Sequence, residues 1–163
     1  MQQDTSKKAA ALAVGAALVA VATLMIRVPI APTRGYINLG DTMVLLFAIL
    51  LGPVVGGAAG GIGSALADII GGFPHWAPWT LIIKGIEGAI AGEISKRKKF
   101  FIPIGTCLGA FEMVIGYFLV ESYLYGVGAA AVELPGNVIQ AVSGIIFSNV
   151  VYVAINKMGL SLD

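Results

Sequence analysis

Residues 71–92 read GGFPHWAPWTLIIKGIEGAIAG. An apolar run here carries one lysine and one glutamate, Lys84 and Glu87, and stands just after His75, Trp76 and Trp79. Ionisable groups inside a membrane-length apolar segment are costly and mark ligand or ion paths by default. On a helix, residues three apart are neighbours that can pair. Lys84 lies about six residues, roughly 9 Å, into the segment, and Glu87 one turn further. Two readings follow. The pair is an intrahelical ion pair that holds a bundle together, or one or both groups hydrogen-bond a polar ligand in a central cavity. The tryptophans are interface anchors if they face lipid and stacking platforms if they face a cavity.

The rest of the chain sets this segment in a membrane. Of 163 residues, 58% are hydrophobic and 12% are charged, about half the charge of a soluble domain. The composition predicts an all-α integral membrane protein of one domain, spanning residues 1–163. Six apolar spans can be drawn, at residues 9–28, 41–51, 54–70, 78–94, 101–125 and 137–158, joined by a loop at 29–40 and a break at Gly52 and Pro53. The second is short for a crossing, which takes about 20 residues. The N-terminal run reads as a retained first span, with no convincing cleavage site. Lys7 and Lys8, Lys96 to Lys99 and Lys157 fall on one side of a six-span bundle. By the positive-inside rule that side is the cytoplasm, with both termini there. Arg27, Arg34, His75, Tyr123, Tyr125 and Glu133 then lie on the outer side.

Glycine is patterned. Gly56, Gly60 and Gly63 share a helical stripe with Gly57 and Ala67 beside it. Small residues let helices approach closely in lipid. Ala9, Ala13 and Ala17 form a second stripe, either internal packing or a docking face for a membrane partner. Asp41 reads as a helix N-cap, and Asp68 as a tie for the outer loops, to Arg34 or His75. Asn137, Gln140 and Ser143 form a polar stripe at three-residue spacing. It suits interhelical hydrogen bonds or a neutral heterocycle.

Several classes are excluded or disfavoured. His75 is the only histidine and has no acidic or cysteine partner at helical spacing, so no metal site and no cofactor is expected. Cys107, the only cysteine, reads as a small buried apolar residue. No nucleophile–base constellation and no Walker motif occurs, so the chain is not expected to be an enzyme. The net charge of +1 gives no reason to expect nucleic acid.

Residues 37–92, with NLGD at 38–41, LAD at 66–68 and TLIIKGIEG at 80–88, resemble the substrate-binding S components of energy-coupling factor (ECF) vitamin transporters. The resemblance is to the riboflavin-type branch, which includes members assigned to hydroxymethylpyrimidine and pyridoxine. It implies a multi-pass protein of a bacterial or archaeal cell membrane that binds a vitamin near the outer face. It implies partners as well: a transmembrane coupling protein, met through Ala9, Ala13 and Ala17, and two cytoplasmic ATPases. The S component then topples in the membrane to release its ligand inside. Residues 29–40 become the lid, with Arg34, Tyr36 and Asn38 near the ligand. Lys84, Glu87, Trp79, Asn137 and Gln140, with His75, become the lining. Two other classes stay open: an ion-coupled transporter of small solutes, and a structural membrane protein whose Lys84–Glu87 pair only holds the bundle.

Overall fold

The computed structural model describes residues 2–159. In chain order these form α1 (Gln2–Met25), strands β1 (Arg27–Ile30) and β2 (Gly35–Asn38), then α2 (Asp41–Gly71), α3 (Ala77–Ser95), α4 (Ile102–Tyr125) and α5 (Val127–Lys157). Four stretches are long and apolar enough to cross a membrane: Ser6–Met25, Asp41–Gly71, Lys99–Tyr125 and Val127–Lys157. Large apolar side chains face outward along them, among them Val14, Phe111, Leu119, Ile139 and Val150. The ionisable residues Asp41, Asp68, Lys84, Glu87, Glu121 and Glu133 are buried instead. Apolar outside and polar inside is the arrangement that a lipid solvent selects.

α2 is one helix only by its hydrogen bonding. Gly52 has φ 78° and ψ −176°, a conformation that glycine adopts readily and other residues do not. Pro53 follows, and the chain doubles back. A Cβ on Gly56 would stand 2.9 Å from the Ala48 nitrogen, and one on Gly60 2.8 Å from the Val44 side chain. In a straight helix residues 48 and 56 would lie about 12 Å apart. The arms before and after Gly52 are therefore antiparallel neighbours. The first arm begins at Asp41, which bonds Lys84. Lys84 itself lies about 10 Å along α3, seven residues on from Ala77. The first arm starts inside the bundle, which accounts for its shortness.

Several expectations are corrected. Residues 29–40 are not a plain loop. β1 and β2 pair antiparallel, Arg27 opposite Asn38 and Ile30 opposite Gly35. A 3-10 turn at Ala31–Thr33 and Arg34 at φ 51° close the hairpin. The last helix starts at Val127 rather than 137, with Pro135 inside it. This moves Glu133 from an outer loop into a buried helical position. Glu121 is also buried. Cys107 is exposed rather than buried, on the apolar outer face of α4. Asp41 is not an N-cap: Gly40 holds that position, and no side chain caps the helix. Of the α1 alanines, Ala9, Ala13 and Ala17 are exposed, while Ala16 and Ala20 are buried.

The second arm of α2 packs on α3 backbone to backbone. A Cβ on Gly57 would stand 2.8 Å from the Gly85 carbonyl oxygen, and one on Gly88 2.6 Å from that of Gly56. Such closeness supplies dispersion energy that lipid offers no hydrophobic substitute for. Below the polar residues Leu45, Ala48, Ile83, Ala110, Met113 and Ala141 fill the centre. Gly88→Val is expected to destabilise the protein by about 2–3 kcal/mol through overpacking, read as an earlier thermal melt in detergent. Gly128→Ala, whose Cβ meets nothing within 4 Å, is the control expected to melt with the parent. Equal melting of both variants would contradict the close α2–α3 contact.

Candidate ligand-binding site

Lys84 is 2% exposed and Glu87 and Asp41 are fully buried. The Lys84 ammonium donates to Asp41 and, at 2.9 Å, to Glu87 Oε2. It also lies 5.7 Å from the Tyr117 ring centroid. Helical spacing puts Glu87 beside Lys84, whereas Asp41 comes from the start of α2. The pair read from the sequence is thus a triad, and Asp41 is its second carboxylate.

Gln140 on α5 extends the triad toward the hairpin. Its side-chain nitrogen donates to Asp41 Oδ1 at 3.1 Å, and its Oε1 accepts the Asn38 backbone N–H at 2.6 Å. Two more contacts hold the hairpin down. The Tyr36 hydroxyl donates to Asp68 Oδ1 at 2.6 Å, and the Thr33 hydroxyl donates to Glu133. Burial, reinforced by the Asp68 carboxylate, pushes the Tyr36 hydroxyl well above the ordinary tyrosine range, so it stays protonated and can donate. Asp68 does tie the outer chain together, but its partner is Tyr36, not Arg34 or His75.

Under the hairpin lies a narrow, partly enclosed cleft. Tyr36 and Asn38 line it from the hairpin, Lys84 from α3, and Asn137 and Gln140 from α5. Glu87 is not in the lining but sits behind Lys84. Arg34 and His75 are exposed and outside it, and Trp79 is half-buried and also outside it. Trp76, 4% exposed, takes the place expected of Trp79. Its ring stands edge-on to Tyr117 at 5.9 Å and tilted to Tyr125 at 6.0 Å.

Sequence reasoning missed Trp76, Tyr117, Glu121 and Glu133 as lining residues. A signal for three of them exists. Glu133, Asn137 and Gln140 stand at i, i+4 and i+7, one helical face, but only if the helix starts before Glu133. Tyr117 and Glu121 are likewise four apart. Asn137 joins the two helices by donating to Glu121 Oε1 at 3.1 Å.

The lining contains polar atoms left without protein partners. Asp68 Oδ2, Glu121 Oε2, Ser64 Oγ and Trp76 Nε1 are all buried and unpaired. Burying such groups unpaired costs about 1–3 kcal/mol each. Together they offer acceptors from two acids, a hydroxyl and one indole donor. Among the described residues no cluster of His, Cys, Asp and Glu suited to a metal occurs.

A model of the family described as "ECF-type riboflavin transporter, S component" matches residues 3–157. The chain belongs to this family. Its relatives include a protein of Lactococcus lactis named thiamine precursor transporter HmpT, 30% identical over 98% of this chain and 94% of that protein. A Pyrococcus woesei protein known only as an uncharacterized protein in a gap 3' region is 52% identical over 78% of this chain and 87% of its own length. A UPF0397 protein of Streptococcus agalactiae is 34% identical over 60% of this chain. The S component is thus a transport protein of the cell membrane and not an enzyme.

The triad makes a direct test of the S component's core. Lys84→Met leaves two buried carboxylates without a cation and is expected to cost about 3–5 kcal/mol. The measurement is the thermal melt of the detergent-solubilised protein. Adding Asp41→Asn and Glu87→Gln removes the stranded charges and is expected to restore most of the loss. If Lys84→Met melts like the parent, the three groups are not coupled.

Proposed function

We propose that this S component binds a small nitrogen heterocycle of the hydroxymethylpyrimidine class in the cleft under the hairpin. The observation that carries the reading is the set of buried, unpartnered polar atoms on the cleft wall. Asp68 Oδ2 and Glu121 Oε2 accept from ring or amino N–H groups, and Trp76 Nε1 donates to a ring nitrogen or hydroxyl. The cation in the lining, Lys84, is already engaged by Asp41 and Glu87. An acidic cleft with no unpaired cation disfavours phosphate and carboxylate ligands, because a buried anion needs a partner. The printed name of the Lactococcus relative, a thiamine precursor transporter, points the same way. Tyr36, Asn38, Lys84, Asn137 and Gln140 contribute the remaining polar lining, with Glu87 holding Lys84 from behind.

The same reading covers topology and partners. The chain crosses the membrane six times, the two arms of α2 counted separately, with both termini and Lys96 to Lys99 in the cytoplasm. The cleft faces the outside and the hairpin is its lid. The exposed stripe of Ala9, Ala13 and Ala17 meets a transmembrane coupling protein, which two cytoplasmic ATPases drive.

Titration calorimetry on purified protein tests the ligand. Hydroxymethylpyrimidine is expected to bind more tightly than pyridoxine or riboflavin, and its phosphate ester at least about a hundredfold more weakly, the ~3 kcal/mol scale of an unpaired buried polar group. Preferred binding of riboflavin, or of the phosphate ester, would overturn the assignment. For docking, Ala13→Trp is expected to abolish uptake in cells that carry the coupling proteins while the purified subunit still binds ligand. Loss of both would mean that the stripe packs internally.

A further inference from the structure

The charges on the cleft wall do not balance. Asp68 on α2, Glu121 on α4 and Glu133 on α5 line the cleft and are 3%, 1% and 3% exposed. Among the described residues the ion pairs are those of Lys84 with Asp41 and Glu87 and of Lys96 with Glu93. The three wall acids have none. Their contacts are with uncharged groups: the Tyr36 hydroxyl on Asp68, the Asn137 amide on Glu121 and the Thr33 hydroxyl on Glu133. Lys84, the cation in the lining, already faces two carboxylates of its own. Arg27, Arg34 and His75, the other basic groups of the outer side, are exposed and outside the lining.

A buried carboxylate is costly without a cation. Either each wall acid keeps a proton, or positive charge comes from outside the chain. The unpaired atoms of the wall favour the second. Asp68 Oδ2 and Glu121 Oε2 are left without a donor. Trp76 Nε1 and Ser64 Oγ, 4% and 2% exposed, line the same cleft and are also unpaired. The indole N–H needs an acceptor, which neither a metal ion nor an ammonium can supply. A protonated diazine carries its positive charge on an N–H and still has a second ring nitrogen that accepts. The wall is therefore matched by a heteroaromatic cation better than by an inorganic one.

We propose that the cleft binds its heterocycle as a cation, protonated on the ring, with Glu121 as the counter-charge. The inference rests on the reading of the cleft as a heterocycle site and adds the ionisation state that the site selects. Asp68 and Glu133 each hold the hairpin through one oxygen. Glu121 is held by Asn137 within the bundle, so its charge is not tied to the position of the lid. A ring that arrives neutral gains its proton from water or from the Glu121 carboxyl. The bound pair is the same in both cases, a ring cation beside a carboxylate.

Ring basicity tests this at one fixed pH, where the ionisation of the protein is common to every ligand. The probes are hydroxymethylpyrimidine and its analogues with the 2-methyl group replaced by hydrogen or by chlorine, which make the ring less basic. Chlorine is close to methyl in size, so steric fit does not imitate the effect. Ring pKa values come from spectroscopic titration of the free compounds. Affinities are measured by calorimetry on the full chain at a pH above all of them. Apparent affinity scales with the fraction of ligand in the binding-competent form, so it is expected to fall about three- to tenfold for each unit of lost ring basicity. Glu121→Gln keeps an acceptor for Asn137 and removes the counter-charge. It is expected to flatten the dependence to within about twofold per unit. The slope is the readout, so a general weakening of binding does not count. A flat series in the parent, or a slope as steep as the parent's in folded Glu121→Gln, overturns the proposal and leaves the heterocycle reading standing. If Glu121→Gln does not fold, the parent series decides. If no probe binds, both readings fail together.

Discussion

Lys84 carries the one buried ammonium among the described residues, and it is held by carboxylates from two different helices. A cation at this depth is tolerated only with its charge matched and its protons directed. Meeting that requirement brings the start of α2 down to the level of α3's second turn. It thereby shortens the first arm of α2 and lowers the hairpin into the bundle. Gln140 continues the same chain of contacts, since it bonds Asp41 on one side and the hairpin backbone at Asn38 on the other. The floor of the cleft, the position of its cover and the register of α5 all depend on this one arrangement.

The hairpin is the non-helical backbone that the chain brings close to the bundle interior. Irregular backbone survives at membrane depth only where it is buried in protein or lines a cavity. Here β1 and β2 pair with each other, and side chains from α2 and α5 hold the rest. Thr33, Tyr36 and Asn38 each reach a different partner, so the cover is fixed at three points. Beneath it the wall keeps unpaired acceptors and an unpaired indole donor. A bundle selected for stability alone would pair or replace these groups. Their persistence beside a cavity fits a ligand that completes them.

Much of this is legible in the sequence. Lys84 and Glu87 stood out because charge in an apolar helix is costly, and the break at Gly52 and Pro53 because both residues oppose a continuing helix. NLGD, LAD and TLIIKGIEG carried the family, which the family model over residues 3–157 then showed. What stayed hidden depended on long-range contact. Nothing local to Asp41 tells a capping carboxylate from a counterion 43 residues away in sequence. Trp76 and Trp79 are three residues apart at a helix start whose phase the sequence leaves open, so the sequence does not say which ring reaches the cavity. Glu133 was lost to a loop because Pro135 looks like a helix breaker, although the helix passes through it. Arg34 and His75 were drawn in by their chemistry alone, and the hairpin turn and the segment before α3 carry them outward instead.

The central claim is that the cleft's unpaired polar wall is completed by a small alcohol-bearing nitrogen heterocycle. It is tested most directly by mass spectrometry of the small molecules released on denaturing protein purified from cells supplied with such compounds. The account predicts a near-stoichiometric heterocycle with ring nitrogen and a hydroxyl, free of phosphate and carboxylate. Release of lipid alone, or of a phosphorylated or carboxylated compound in stoichiometric amount, would contradict it.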